Sequence, residues 1–494
     1  MPISDAQYQT WLQADNKTRV VLVEAEAYSG GSVVTRYMSD CGFVSAATDT
    51  PANTAYDDIV LAVPSIRSVM ADALRGRSVV SYGDIEIDNS AGSRDTWLLD
   101  AWDGRPIRLY LGDAAWSKAD FRLILNGVTQ DIRSSDTATV TLRLRDRQGL
   151  LDVPMQSTFV GGTGPAVFQR LPIGYGQILY AAPVLIDAAT REYQIHDGQI
   201  ESIDAVYVDG TALTPGTGYT NNLAAGKFTL AAAPVGTITV DFKGSKTAGV
   251  YVNTASLIAQ RIVQERAGFT SGDIHAAAAS DFAIDAPAVV GVYVTEDHRT
   301  VLSVLDELVG GVGGFYAVNR DGQLVLGQFK APAGTAVLTL IDDDLELGGL
   351  ELIRRDVPLK SVRLGYARYF TVVDTSAIAG LSAQARQRMA KEYLIKRATT
   401  GAVGHLLAVD GDIERSPIAL DAAATTEAAR QATLWGVLRR IFRLKVFTTT
   451  ARVNLNDVVA LSLSRYGLTS GTLARVVAMR DDVSGGTREL EVFL

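Results

Sequence analysis

Period-two alternation of apolar and polar positions dominates the chain. Residues 18–28, TRVVLVEAEAY, set Val20, Leu22, Glu24 and Glu26 on one side and Val21, Val23, Ala25 and Ala27 on the other. That is the pattern of a β-strand. Shorter runs of the same kind follow (YDDIVLAV, SVVSYGDIEI, RPIRLYLG, ADFRLILNGV, TATVTLRLRD), divided by Gly, Asp, Asn and Pro. They predict antiparallel sheet, a small barrel or sandwich, through residues 1–155. Within it, residues 88–104 predict a short helix that lays Trp97, Leu98 and Trp102 over one sheet face. Residues 156–183 are rich in glycine and predict a connecting loop. Residues 184–248 are a train of short strands joined by DG, PGTG and PVG turns, which predicts a compact β insert.

The period then lengthens. Leu257, Ile258, Ile262 and Val263 recur at helical spacing within residues 254–267, with Thr254 or Ser256 to cap the helix. A second helix is expected over 296–309, stopped by GGVGG, a third over 382–396 and a fourth over 425–442. In the fourth, Ala428, Ala432, Trp435 and Leu438 fall near one stripe, and residues 446–494 return to strand. Residues 249–345 thus form an α+β segment and 346–494 a β-rich segment with two helices. The fold class is mainly β with α/β parts, multidomain, with a few packing helices.

One hairpin is unusually regular. In residues 455–480, LNDVVALSLSRYGLTSGTLARVVAMR, Val459, Leu461 and Leu463 share a face, and Val458, Ala460 and Ser462 share the other. A turn spans 466–471, with Tyr466, Gly467 and Gly471. The clear core face and the smaller second face mark Val458, Val459, Leu461, Tyr466, Gly467 and Gly471 as an assembly element, covered either by the same chain or by a neighbour.

Composition narrows the function classes. The 494 residues carry a net charge of −9, which argues against a broad nucleic-acid surface. The single cysteine, Cys41, excludes an intrachain disulfide. Residues 1–20 are polar and lack a signal core, and no apolar run is long enough to span a bilayer. A soluble chain made in the cytoplasm is expected.

Candidate chemistry is sparse. His196, His275, His298 and His405 have no metal-ligand spacing and read as scattered surface or turn residues. IDDDLELGG (341–349) lacks the oxygen spacing of a calcium loop and reads as an acidic loop or helix start. GGVGG (310–314) follows a helix and precedes a strand, the reverse of a phosphate loop, and reads as a helix stop. No GxSxG is present. Arg143, Arg145 and Arg147 alternate on a strand, and the arginines of 439–445 read as complementing a helix C-terminus. No catalytic, metal or cofactor-binding residue is assigned, and no cofactor is expected.

A resemblance adds to this. GDIEIDNSAGSRDTWL, WDGRPIRLYLGD, FRLILNGVTQDI and RLRDRQGLLDVP resemble an N-terminal region of tail-tip proteins from long-tailed bacteriophages and prophages, and FTLAAAPVGTITVDFKG resembles the insert beside it. TVLSVLDELVGGVGGFYAVNRDGQLVLGQFKAP, EAARQATLWGVLRRIFRLKV and LNDVVALSLSRYGLTSGTLARVVAMRDD, in that order, look like the hub proteins that close a tail tube. The resemblance implies small β-barrel or sandwich domains like tail-tube folds, a homotrimer, and a place in the virion at the tail tip or baseplate. It implies as partners a distal tail protein, the tail tube or tape-measure protein, and central or receptor-binding fibre proteins. Phage DNA would pass transiently during ejection, without stable membrane insertion. Two other readings stay open. One is a carbohydrate- or receptor-binding virion surface protein with Tyr193, Tyr207 and Tyr219 as an exposed aromatic platform; the other is a hydrolase with a dispersed site.

Overall fold

The computed structural model of the protein describes residues 3–14, 16–71, 73–161, 166–295, 298–373, 381–402, 404–447, 453–481 and 487–494. Parts of the expected 156–183 loop, the 296–309 helix and the 446–494 strands lie outside the described residues. The fold is mixed α/β, dominated by several β-sheets with helices packed among them.

The N-terminal sheet has nine strands, in the order Phe43–Val44, Ala55–Asp58, Ser32–Ser39, Arg19–Ser29, Pro106–Asp113, Arg122–Ser134, Thr139–Arg145, Asp84–Asp88 and Val60–Ala62. Its two ends meet on one short stretch of chain. Ala55–Asp58 runs parallel to Ser32–Ser39, and Val60–Ala62 runs antiparallel to Asp84–Asp88. Between them, Ile59 donates its N–H to the Ser39 carbonyl (3.1 Å) and accepts from the Asp88 N–H (2.8 Å). Val21, Val23, Ala25 and Ala27 enter the main core of this sheet with Ile85, Ile107, Leu109 and Leu142. Trp102 is buried in it and Trp97 packs alongside, whereas Leu98 is exposed. Helix α1 (Asp5–Gln13) buries Tyr8 and Leu12 against the same core. Its start is a capping box: Ser4 Oγ accepts from the Gln7 N–H, and Gln7 Oε1 accepts from the Ser4 N–H.

Residues 66–82 leave this sheet and lace the two ends of the chain together. Ile66–Val69 pairs with Thr472–Asp481, Val79–Tyr82 pairs back on Ile66–Val69, and Gly76–Arg77 runs parallel to Gly314–Val318. The C-terminal sheet that receives them runs Leu338–Ile341, Val458–Ser462, Thr472–Asp481, Thr487–Phe493, Arg439–Phe447 and Leu345–Asp356. Its edge strands Leu338–Ile341 and Leu345–Asp356 are joined by the single 3-10 turn Asp342–Asp344, so the sheet comes round on itself. Side chains from all six strands form one cluster, among them Leu340, Phe442, Val459, Val476 and Val492, with Leu350 packed on it. No ladder joins its two edges among the described residues.

Between these sheets lies the largest core. Helices α2 (Ala255–Ala267), α3 (Ala276–Asp285) and α4 (Val301–Gly310) pack against Ile173–Ala181, Gly291–Val294, Gly314–Val318 and Leu324–Gln328. α4 buries Val301, Leu302, Val304, Leu305, Leu308 and Val309, each worth roughly 1.5–3 kcal/mol of apolar transfer. Thr300 caps it, and Gly311 with the positive φ of Gly313 turns the chain into the next strand. The insert contributes a four-stranded sheet over 184–230, while its strands Ile200–Val208 and Ile238–Thr247 share a sheet with Ile173–Ala181.

Two of the expected helices end early. The helix expected over 382–396 is α5 (Ala383–Met389), and Leu394–Thr399 is a strand paired with Ser361–Tyr366. The helix expected over 425–442 is α6 (Asp421–Trp435). It stops before Gly436, and Arg439–Phe447 is a strand. Of the basic residues of 439–445, Arg439 does serve the helix end, donating its Nε–H to the Leu434 carbonyl in the last turn of α6 (2.7 Å) and lying over the Phe493 ring, whereas Arg443 reaches Glu351, Glu489 and Glu491 at 3.2, 3.1 and 3.0 Å. Helix α3 follows His275, whose Nδ1 accepts from the Ala278 N–H.

Candidate assembly surfaces

The hairpin singled out by its alternation is built as expected but faces inward on both sides. Val459 and Leu461 are fully buried in the C-terminal cluster. On the other face Val458 and Ala460 are each only 8% exposed. The second strand, Thr472–Asp481, is covered there by the same chain. Val477 clusters with Met70, Phe329 and Phe493, and Arg475 donates to the carbonyls of Lys330 (2.9 Å), Ala331 (3.3 Å) and Asn456 (2.6 Å). Burial holds the Arg475 pKa below its ordinary value. Val458, Val459 and Leu461 thus act within the fold, and the turn alone reaches the surface. There Tyr466 is 52% exposed, and Tyr466, Gly467 and Gly471 all take positive φ. A Cβ on either glycine would touch nothing, so backbone conformation alone favours glycine.

The three tyrosines of the insert do not assemble an exposed platform. Tyr193 and Tyr219 lie in the insert core, packed on Phe228 with ring centroids 5.4 and 6.3 Å away. The reason is the ladder: Tyr193 sits opposite Phe228 and Tyr219 opposite Leu230, so their side chains fall on the sheet's inner face. Tyr207 is half-buried, donates to Asp241 (2.9 Å), and packs on Tyr180, which stacks on Tyr369 with centroids 4.4 Å apart. Arg388 of α5 lies over the Tyr369 ring and donates to the Ala367 carbonyl. This cluster fastens the insert to the C-terminal half. Burial raises the Asp241 carboxyl and pushes Tyr180 up to about 12.

His196, expected at the surface or in a turn, is buried. Its Nδ1 accepts from the Gly174 N–H at 3.1 Å, and Nε2 stands 3.6 Å from Asp197. Asp197 takes two hydrogen bonds from Arg266 (2.6 and 3.0 Å), which also donates to Tyr175; Tyr175 in turn donates to Glu265 (2.8 Å). Burial holds His196 down to about 4, which keeps the imidazole neutral. The geometry is that of a structural anchor between insert and α2. The three aspartates of 342–344 serve the backbone: Asp342 accepts from the Ser464 N–H and Asp344 from the Ile341 N–H. Among the described residues, no group of three or more His, Cys, Asp or Glu comes together as a metal site.

Two further surface features lie apart from the residues singled out above. The first is an open cleft of about 800 Å³ between Gly76–Arg77, α4 and the end of strand Asp410–Arg415. Arg299 and Arg368 are held in it by Glu307 (2.7 and 2.9 Å), and Arg75 by Glu414. Arg77 and Arg415 are exposed at its rim, and neither has an ion-pair partner among the described residues. These arginines come from four separate stretches of chain, which is why spacing could not reveal them. The second feature is a bulge in the edge strand Leu345–Asp356. Leu345 pairs with Val446 and Leu350 with Leu444, so residues 346–349 stand opposite Lys445 alone. Leu347 at its tip is fully exposed.

No family model and no curated protein matches the chain. Among solved structures, it is similar to the tail protein from Neisseria meningitidis MC58 (12% identity, 97% of each chain covered, TM-score 0.38). It is also similar to the 43 kDa tail protein of prophage MuSo2 from Shewanella oneidensis (11%, 97% and 96%, 0.38) and to prophage tail protein gp18 from Listeria monocytogenes EGD-e (7%, 95% and 94%, 0.40). With identities this low and TM-scores below 0.5, neither a shared fold nor a function follows from these likenesses.

Proposed function

We propose that the chain is a structural hub of a phage-type tail tip or baseplate, which closes or extends the tail tube and carries no catalytic site. The ordered series of tail-tip-like stretches along the sequence suggests it. The observation that carries it is the arrangement of the two ends of the chain. Each end folds as a sheet whose two ends approach one another, and residues 66–82 bind the two sheets into one block. A rigid block with two such sheets suits a ring-forming tube segment, because ring contacts need surfaces held in fixed mutual orientation. In this reading three copies form the ring and continue the tail tube or meet the tape-measure protein. A distal tail protein and central or receptor-binding fibres attach outside, and DNA passes through the middle during ejection.

The ionisable groups fit the same reading. His196, Asp197, Arg266 and Glu265 are engaged by one another, by Tyr175 and Thr247 and by the Gly174 N–H. No helix among the described residues is long and apolar enough to cross a membrane. The glycan-binding alternative loses its motive with the burial of Tyr193 and Tyr219. Sedimentation and negative-stain electron microscopy of the full chain test the proposal. The expected result is a trimeric ring with a central passage; a monomer at all concentrations would sink it.

A further inference from the structure

The tip of the bulge and the rim of the arginine cleft are complementary: Leu347 is fully exposed, and Arg77 and Arg415 have no ion-pair partner among the described residues. The bulge is specified by the sequence. Gly348 takes a φ of +77°, and a Cβ at Gly349 would come 2.8 Å from the Lys445 carbonyl oxygen. Any side chain at 349 would push the bulged segment out of place. The result displays Leu347, with nothing packed on it, beside the acidic stretch Asp342–Asp344 and Glu346. Two of these acids are engaged at home, Asp342 by Ser464 and Asp344 by Ile341, whereas Asp343 is exposed and Glu346 half-buried, neither with an ion-pair partner among the described residues.

The cleft offers the opposite chemistry. Its wall carries Ala71, Ala73 and Val79, with Val79 exposed, and on its rim stand Arg77 and Arg415, which have no ion-pair partner among the described residues. A single leucine flanked by carboxylates matches an apolar wall flanked by arginines. We infer that the bulge of one copy, residues 343–347, seats in the arginine cleft of a second copy, with Leu347 against Ala71, Ala73 and Val79 and with Asp343 and Glu346 facing Arg77 and Arg415. Charge complementarity selects a second copy of this chain as the occupant, since both halves of the match belong to one sequence. Bulge and cleft are different surfaces, so the contact is head-to-tail and closes only as a ring. This inference rests on the self-assembling reading above and assigns its contact residues.

Sedimentation velocity on the full chain tests it, with four proteins compared. These are the wild type, Asp343→Arg with Glu346→Arg, Arg77→Glu with Arg415→Glu, and all four changes together. Asp343, Arg77 and Arg415 are exposed and Glu346 is half-buried without an ion-pair partner among the described residues, so the melting temperature should barely move. Each double reversal should weaken association roughly tenfold or more, and the fourfold variant should recover most of the loss. Association of the wild type should also weaken as salt rises. If the wild type assembles and both double reversals assemble equally well, the docking inference falls and the hub reading stands. If the double reversals dissociate but the fourfold variant does not recover, direct contact between the two surfaces is refuted. A wild type that never assembles removes the hub reading itself.

Discussion

Strands Arg19–Ser29 and Leu345–Asp356 are of similar length, and both carry glutamates among leucines and valines or isoleucines, yet they meet opposite fates. Arg19–Ser29 is paired on both sides, and both its faces are covered. Val21, Val23, Ala25 and Ala27 enter the main N-terminal core, while Val20 and Leu22 enter a second cluster with Tyr56 and Phe121. Even Glu24 is buried there, held by Lys118 Nζ at 2.5 Å and by the Tyr56 hydroxyl at 2.5 Å. Among the described residues Leu345–Asp356 is paired on one side only, and Leu347 and Leu352 are exposed. Alternation tells which residues share a face, but what covers that face is decided by distant chain. Like the edge strands Leu394–Thr399 and Asp410–Arg415, Leu345–Asp356 leaves one row of backbone groups outside any ladder among the described residues.

The comparison places the hairpin strand Val458–Ser462 with the covered type, and the largest effect is expected there. Replacing both Val459 and Leu461 with Asp puts two unpaired carboxylates into a closed apolar cluster. The cost is more than about 5 kcal/mol, enough to unfold the C-terminal sheet. Limited proteolysis should cut the variant within 453–494; a variant as resistant as the wild type would show that this strand is not covered as described.

Next in size is Lys118→Met. The ion pair Lys118–Glu24 is about nine-tenths buried on both sides, and removing the cation strands the carboxylate beneath Tyr56 and Tyr110. Breaking such a pair costs about 3–5 kcal/mol, which a fall in the urea midpoint should register. Changing Glu24 to Gln in the same protein should restore part of the loss, because the uncompensated charge is then gone. No change on Lys118→Met would mean that water reaches the second face of Arg19–Ser29, and the contrast between the two strands would weaken.

His196 extends the test to a polar group under cover. Its pKa is held down to about 4 in the fold, against an ordinary value near 6.5, so between those values the unfolded state binds more protons than the native one. Stability is therefore complete above about pH 6.5 and is lost as pH falls towards 4. At pH 5 the loss is about 2 kcal/mol. Hydrogen exchange in residues 192–208, corrected for intrinsic rate, should lose roughly twentyfold in protection between pH 7 and 5. The variant His196→Asn, which keeps an acceptor for the Gly174 N–H, should flatten that dependence.

Much of this architecture was legible because it depends on local pattern. The alternation in 18–28 and 455–480 predicted strands, and the helical spacing in 254–267 predicted α2. GGVGG stopped α4 as its order required. Other local signals were present but unread: Ser4 with Gln7 is a capping box before α1, and Gly436 ends α6 three residues ahead of Arg439–Phe447, which alternates as a strand. The rest was not local. The second cover over Arg19–Ser29 comes from residues 43–56 and 116–121, and the burial of Tyr193 and Tyr219 depends on which strand lies beside them. The arginine cleft joins residues from 71–79, 299–311, 368–393 and 414–415, a juxtaposition that only the fold creates.

The smallest expected effect is the most informative about the open strand. Leu347→Gln changes a side chain that is fully exposed and packed on nothing in its own chain, so the stability of the monomer should stay within about 0.5 kcal/mol of wild type. The matching change in the covered strand, Leu22→Gln, removes a fully buried leucine and buries an amide, and should cost several kcal/mol, roughly 3 or more. Thermal melts of both variants at a concentration where the chain is monomeric make the comparison direct. A drop of more than about 1 kcal/mol for Leu347→Gln would mean that the bulge packs on its own chain. It would then be part of the fold like Arg19–Ser29 and could not also be the tip offered to a neighbour.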